Sequence, residues 1–351
     1  TQNTAVGYYT LNNLTTASAN VAVGNQVLKL VTTNGSNVGM GHAAGQNVVC
    51  GSGSDGGTHN TLIGNSAGQY CGEGLGNTFI GSSSGLGDSG AHLSGDFNTA
   101  LGYNAGKVLQ GTATSNTLIG YNAADELTTG EHNIAIGRAA LAGETTGSYS
   151  VAIGSYAGND INSTDANGSV LVGYNAGGKI TSGRYNTAIG HASCSNNLIG
   201  DKNTSVGYES GNSFVADTDG HGQLSALGFR AGKFISTGTG NTAIGSEAML
   251  GDTSNPITGD NNTVVGCQAG KAMITTSSKN TILGHQAGES MTTGLENVFV
   301  GKSAGNTITT GRNHVLIGYG SDVDTDSDSN CVAIGHSAIA QNNNEVRVGT
   351  G

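Results

Sequence analysis

The chain has 351 residues, of which 61 are Gly, 1 is Pro and 0 are Trp, and its 24 acidic residues against 13 basic ones give a formal net charge of -11. Collagen, which needs Gly at every third position with abundant Pro, is excluded, and so is any basic patch that could neutralise a nucleic-acid backbone or bind an anionic membrane. No apolar run of about 18 residues occurs, so no direct membrane insertion is expected.

In chain order a single unit recurs, typified by Asn186-Thr187-Ala188-Ile189-Gly190 and Asn241-Thr242-Ala243-Ile244-Gly245. Its closing glycine gives 20 anchors, among them Gly7, Gly24, Gly41, Gly64, Gly81, Gly102, Gly120, Gly137, Gly154, Gly173, Gly190, Gly245, Gly318, Gly335 and Gly349, and 11 of the 19 intervals are 17 residues long. The residue before the anchor is apolar in all 20 units, with Ile63, Ile80, Ile119, Ile136, Ile153, Ile189, Ile244, Ile317 and Ile334 supplying nine of them. β-Branched side chains suit an extended backbone, so each unit predicts a short strand ending on its anchor. The residue two before the anchor is Ala, Leu or Phe in most units, and adjacent strand residues point to opposite faces. Both faces of the strand are therefore largely apolar: one fills the coil's own interior and the other needs a partner, most simply a neighbouring chain.

After the anchor follow segments such as Tyr103-Asn104-Ala105-Gly106 and His285-Gln286-Ala287-Gly288, so each coil is expected to supply two short strands and two bends. Asn stands four residues before the anchor in 14 of 20 units, where stacked copies could form a ladder. The expected fold is all-β: an elongated β-solenoid or β-roll of about 20 short coils over residues 1–349, with 350–351 as a truncated or processed tail. At roughly 4.8 Å per coil the array would extend about 90 to 100 Å. Arg347, the only charged residue two before an anchor, marks a place where two-sided packing changes or ends.

The pairing of Asn-Thr-Ala-Ile-Gly with Tyr-Asn-Ala-Gly resembles the repeat regions of bacteriophage tail fibres, and also the β-roll heads of trimeric autotransporter adhesins. The likeness spans residues 3–349, and 342–349 resembles the segment preceding a cleaved C-terminal chaperone in fibre proteins. The resemblance implies a parallel homotrimer of left-handed rolls that acts as a structural fibre of a virion or extracellular appendage and presents an attachment surface to a cell-surface glycan or protein receptor. Two alternatives stay open: a bacterial cell-surface adhesin head, and a self-associating extracellular filament whose chains join end to end.

Few residues suggest chemistry. His42, His191, His285 and His336 directly follow an anchor, where a three-fold assembly could gather an axial ion site; the plainer reading is a tolerant turn position that Tyr also occupies. Asp322, Asp324, Asp326 and Asp328 alternate like the first half of a calcium loop but lack its central Gly and closing Glu, so calcium competes with a solvated acidic turn. No cofactor is required. Cys50 and Cys71 lie one repeat apart and could bridge, while isolated buried thiols are the commoner outcome. Titratable groups are scattered and no phosphate-binding loop appears, so an enzyme is not expected. Three long intervals form the candidate surface loops: 50–58, 86–97 around His92, and 214–224 with Asp217, Asp219 and His221.

Overall fold

A computed structural model of the chain describes residues 2–49, 56–162, 167–214 and 222–349. It forms two compact units, Thr1–Asn175 and Ala176–Gly351. The first holds β1 (Thr4–Tyr8), β2 (Val21–Asn25), β3 (Val38–His42), β4 (Thr61–Ile63), β5 (Thr78–Ile80), β6 (Thr99–Leu101), β7 (Thr117–Ile119), β8 (Ile134–Ile136), β9 (Val151–Ile153) and β10 (Val170–Val172). The second holds β11 (Thr187–Ile189), β12 (Thr204–Val206), β13 (Ser225–Leu227), β14 (Thr242–Ile244), β15 (Thr263–Val265), β16 (Thr281–Leu283), β17 (Val298–Val300), β18 (Val315–Ile317), β19 (Asp322–Val323), β20 (Val332–Ile334), β21 (Ile339–Ala340) and β22 (Val346–Val348).

Within each unit the strand of every coil pairs in parallel with that of the next, equivalent residue on equivalent residue, as Ala100 on Leu118 or Phe299 on Leu316. Each unit is therefore a parallel β-solenoid. The anchor glycine explains why a 17-residue coil closes so tightly. Gly102 has φ 141°, and a Cβ there would sit 2.4 Å from the carbonyl oxygen of Gly120 in the next coil. No side chain fits that approach.

One expectation needs correction. The segment after the anchor is no strand but a chain of turns in which the second residue is left-handed, as at Asn104 (φ 56°) and Gln286 (φ 57°), followed by a left-handed Gly. The turns still bond from coil to coil: Asn104 N–H donates to Ser82 O at 3.0 Å and Gln286 N–H to Cys267 O at 2.9 Å. Among the described residues a second strand pair forms only where β19 meets β21.

The core is three rows deep. The residue two before the anchor is buried in every coil except the first and last, where Ala5 is exposed and Arg347 half-buried, and most coils also bury an Ala three residues after the anchor and a larger apolar residue seven after it, for example Leu118, Ala123 and Leu127. Row sizes compensate. The ring of Phe299 would meet a Cβ at Gly305 at 2.8 Å, so glycine there makes room for the largest occupant of its row.

Two insertions feed this core rather than merely decorating it. Leu93 and Ile257 return from long intervals to full burial and bridge to neighbouring coils at Gly111, and at Ile235 and Thr275. The opposite strand face is different: within the chain Leu101, Leu227 and Leu283 remain 44%, 49% and 47% exposed. Two-sided burial is thus realised on one side only, because a narrow coil has a single interior.

Beneath the strands runs the asparagine ladder. Asn262 Oδ1 accepts both the backbone N–H and the Nδ2 of Asn280, each at 3.0 Å, and Asn280 Nδ2 also donates to Gly294 O at 2.9 Å. Asn280 in turn accepts from Asn297 in the same way.

Candidate functional site

The outward strand face continues into the position after the anchor. Since that position repeats in register, its rings stack: Tyr103 on Tyr121 at 5.6 Å in the first unit, His191 on Tyr208 at 5.1 Å and Tyr208 on Phe229 at 5.5 Å in the second. Beside the rings stand Ile189, Leu227 and Ile244, all exposed. A stripe of aliphatic and aromatic surface therefore lines the strands of each unit, and large contiguous apolar surface of this kind marks a contact area.

The stripe is flanked by charge that is already paired. Glu209 accepts from Lys233 Nζ at 2.6 Å and from Arg230 Nε at 3.0 Å, and Lys271 meets Glu247 at 2.9 Å. The Lys233 hydrogen bond and charge hold the Glu209 carboxyl below its ordinary range, and Lys271 does the same for Glu247. These ion pairs neutralise the flank without supplying a reactive group.

His42, His191, His285 and His336 all lie exposed on this stripe, in separate coils far apart in sequence, and Tyr319 stacks on His336 at 5.0 Å. Within one chain they do not converge.

The four aspartates divide by role. Asp322 accepts from Thr307 N–H at 3.0 Å and from its hydroxyl at 2.9 Å, and burial pushes its carboxyl up. Asp326 takes the N–H and hydroxyl groups of both Thr309 and Thr310. Burial opposes ionisation of Asp326, but these donors outweigh it and leave the carboxyl below its ordinary range. Asp324 is exposed, whereas Asp328 is buried and its Oδ2 has no hydrogen-bond partner. Among the described residues no three His, Cys, Asp or Glu side chains converge as a metal-binding group.

Beside Asp328 lies a residue that sequence reasoning missed. His314 occupies the Asn position of the ladder, fully buried; its N–H donates to Asn297 Oδ1 at 3.0 Å and its Nδ1 accepts from Cys331 N–H at 3.3 Å. Burial lowers its pKa, against the pull of the Asp328 backbone and of the Asp328, Asp322 and Asp326 charges. The signal was available as a break in the Asn register.

The thiols are mostly inert. Cys71 and Cys194 are free and buried, and burial pushes each up to about 12; Cys331 is buried, and Cys267 alone of the four is exposed, on the stripe. Cys50 lies outside the described residues, as do Asp217, Asp219 and His221 of the 214–224 interval. The 86–97 interval helps form a groove of about 280 Å³ lined by Val49, Glu73, His92 and Ser94, where Tyr70 and His92 pack at 5.7 Å. Among the described residues no helix is long and apolar enough to cross a membrane. No protein-family model matches the chain, and no curated protein is significantly similar to it.

Proposed function

We propose that this chain is a structural fibre protein of a virion or extracellular appendage, assembled from parallel identical chains, three in number, that pack through the outward strand faces. The observation that carries the reading is the continuous aliphatic and aromatic stripe, with residues such as Leu227 and Phe229 at 49% and 43% exposure, on coils whose other face is already a complete core. A rigid β-solenoid unit repeats one geometry coil after coil, so a single favourable contact between chains is multiplied along the stack. Such an assembly spaces and presents surface loops, and its titratable groups serve ion pairs and turns, which fits a role without catalysis.

Sedimentation and native mass measurement test this. The expected particle is three copies of the 34.8 kDa chain. Leu227→Glu combined with Leu283→Glu should release single chains that keep their β-sheet circular dichroism, because both side chains point away from the core. In the intact particle a short bis-maleimide should join chains through Cys267. A wild-type chain that sediments as a monomer at micromolar concentration refutes the reading.

A further inference from the structure

The outward stripe differs from the rest of the chain in its charge. Its three positions in each coil, three and one before the anchor and one after it, hold no Asp or Glu in any of the 20 repeats, although the chain has 24 acidic residues. The groups that can be cations there are Arg138, Lys302 and the imidazoles of His42, His191, His285 and His336.

All four imidazoles are exposed in the single chain, and their neighbours in the row offer no carboxylate. In the first unit His42 stands between Asn25 and Asn65. In the second, His191 stands between Tyr174 and Tyr208, His285 between Cys267 and Lys302, and His336 follows Tyr319. Two of the rings they stack on already hold a cation: Arg230 lies 5.9 Å from the Tyr208 ring beside His191, and Lys302 lies 5.7 Å from the Tyr319 ring beside His336. A proton on either histidine sets a second positive charge against the same ring.

The flanking carboxylates do not answer that charge. Glu209 is committed to Lys233 and Arg230, Glu247 to Lys271, and on the other edge Glu296 meets Lys279 at 3.0 Å. The Lys233 and Lys271 hydrogen bonds hold Glu209 and Glu247 below the ordinary carboxylate range, so both stay ionised in mild acid. Glu144, His314 and Asp322, whose protonation burial also perturbs, lie inside their coils and not on the stripe.

Histidine is the side chain that ordinarily titrates between about pH 5 and 8. In a parallel assembly of identical chains about a rotation axis along the fibre, each residue stands level with its own copies. A neutral imidazole suits an aliphatic and aromatic contact, whereas an imidazolium must leave water beside like charges, with no carboxylate on the stripe to pair it. We infer that the stripe is a pH-gated contact: identical chains pack through it while its four histidines are neutral and separate when they are protonated. The inference rests on the fibre reading for its partner. The free chain binds more protons than the assembled one, so association weakens as pH falls through the histidine range and returns at neutral pH.

Sedimentation and native mass of the full chain at matched ionic strength, with circular dichroism on the same samples, test this. At about pH 7.5 the expected species is the assembly; at about pH 5 it is the folded single chain, with the concentration for half-assembly raised about tenfold or more. The quadruple variant His42→Gln, His191→Gln, His285→Gln and His336→Gln should stay assembled at both pH values. It keeps the fold, since Asn, Ser and Tyr fill the same position in other coils. Lys302→Gln should move the wild-type transition to lower pH. A wild type of equal mass at both pH values, a quadruple variant that comes apart at the wild-type pH, or acid dissociation accompanied by loss of the β-sheet signal would each overturn the gate and leave the fibre reading standing. A wild-type monomer at neutral pH overturns both, whereas an assembly of another copy number that opens in acid keeps the gate and corrects only the count.

Discussion

Replacing Asn280 by Ala isolates what the buried ladder contributes. The side chain makes four hydrogen bonds: it donates to Asn262 Oδ1 and Gly294 O, and accepts from Asn297 N–H and Nδ2. Gly294 O retains a long contact from Ser278 N–H at 3.4 Å and Asn297 Nδ2 still reaches Gly311 O at 2.9 Å, but Asn297 N–H loses its acceptor. An orphaned buried N–H costs about 1 to 3 kcal/mol and each of the three other lost bonds about 1 kcal/mol, so the total is about 4 to 6 kcal/mol. In a stacked array the loss falls first on the coils touching the site. Hydrogen exchange should show faster opening at residues 262–297, alongside a lower urea midpoint. Asn280→Asp adds a diagnostic: its carboxylate would face Asn262 Oδ1 and Gly294 O, which only a donor can satisfy. Its folded pKa should therefore be raised, with stability lost as pH rises through that value and recovered on acidification. If Asn280→Ala costs no more than about 1 kcal/mol, as expected for the exposed His285→Ala in the same coil, the ladder is not what secures the stack.

Other substitutions probe separate rows. In Gly245→Ala the new Cβ would meet Gly266 O at 2.6 Å with φ 126°, so about 1 to 3 kcal/mol of backbone strain adds to displacement of the next coil, and soluble expression or melting temperature should drop sharply. Phe299→Ala should lose about 3 to 5 kcal/mol by chemical denaturation, because its ring fills the space left by Gly288 and Gly305. Glu144 is fully buried where most coils carry an apolar residue, and burial raises its carboxyl despite hydrogen bonds from Gly147 and Thr146 N–H. The folded state therefore holds that proton more tightly than the unfolded state. Its contribution to stability falls as pH rises from the ordinary carboxylate range through the raised value, and Glu144→Gln should melt higher than wild type at about pH 8 while converging with it near about pH 4.

Much of this architecture was legible in residue spacing. Period-two alternation set Leu118 and Ile119 on opposite faces without telling which was the interior, and the anchor glycine fixed where coils meet, because both follow from strand geometry and steric exclusion. The turn chain after the anchor was not legible as such: Asn104-Ala105-Gly106 suits a short strand as well as alternating left-handed turns, and only three-dimensional closure decides between them. Nor could spacing reveal that Leu93 and Ile257 re-enter the core, since an insertion of unknown path can return anywhere. The acidic run at 322–328 was half visible. The aspartates stood out, but their division into three roles depends on Thr307, Thr309 and Thr310, which come from the preceding coil.

The breaks in the ladder show what each rung contributes to the stack. Ser150, Leu224 and His314 each still donate a backbone N–H to the preceding Asn Oδ1, at 3.0 Å in all three cases. They differ in what they offer the next coil. Leu224 has no acceptor to give, whereas His314 presents Nδ1 to Cys331. In the stack Asn241 of the next coil stands over Leu224, and Glu144 takes the amides of Thr146 and Gly147 from its own turn, so neither break is filled by a neighbouring coil. A rung without a side-chain acceptor forgoes one ladder hydrogen bond, about 1 kcal/mol. The regular positions therefore supply cohesion, and His314→Asn, which restores an amide to the rung between Asn297 and Cys331, should raise stability by about 1 kcal/mol, readable as slower exchange across 297–331 and a higher urea midpoint.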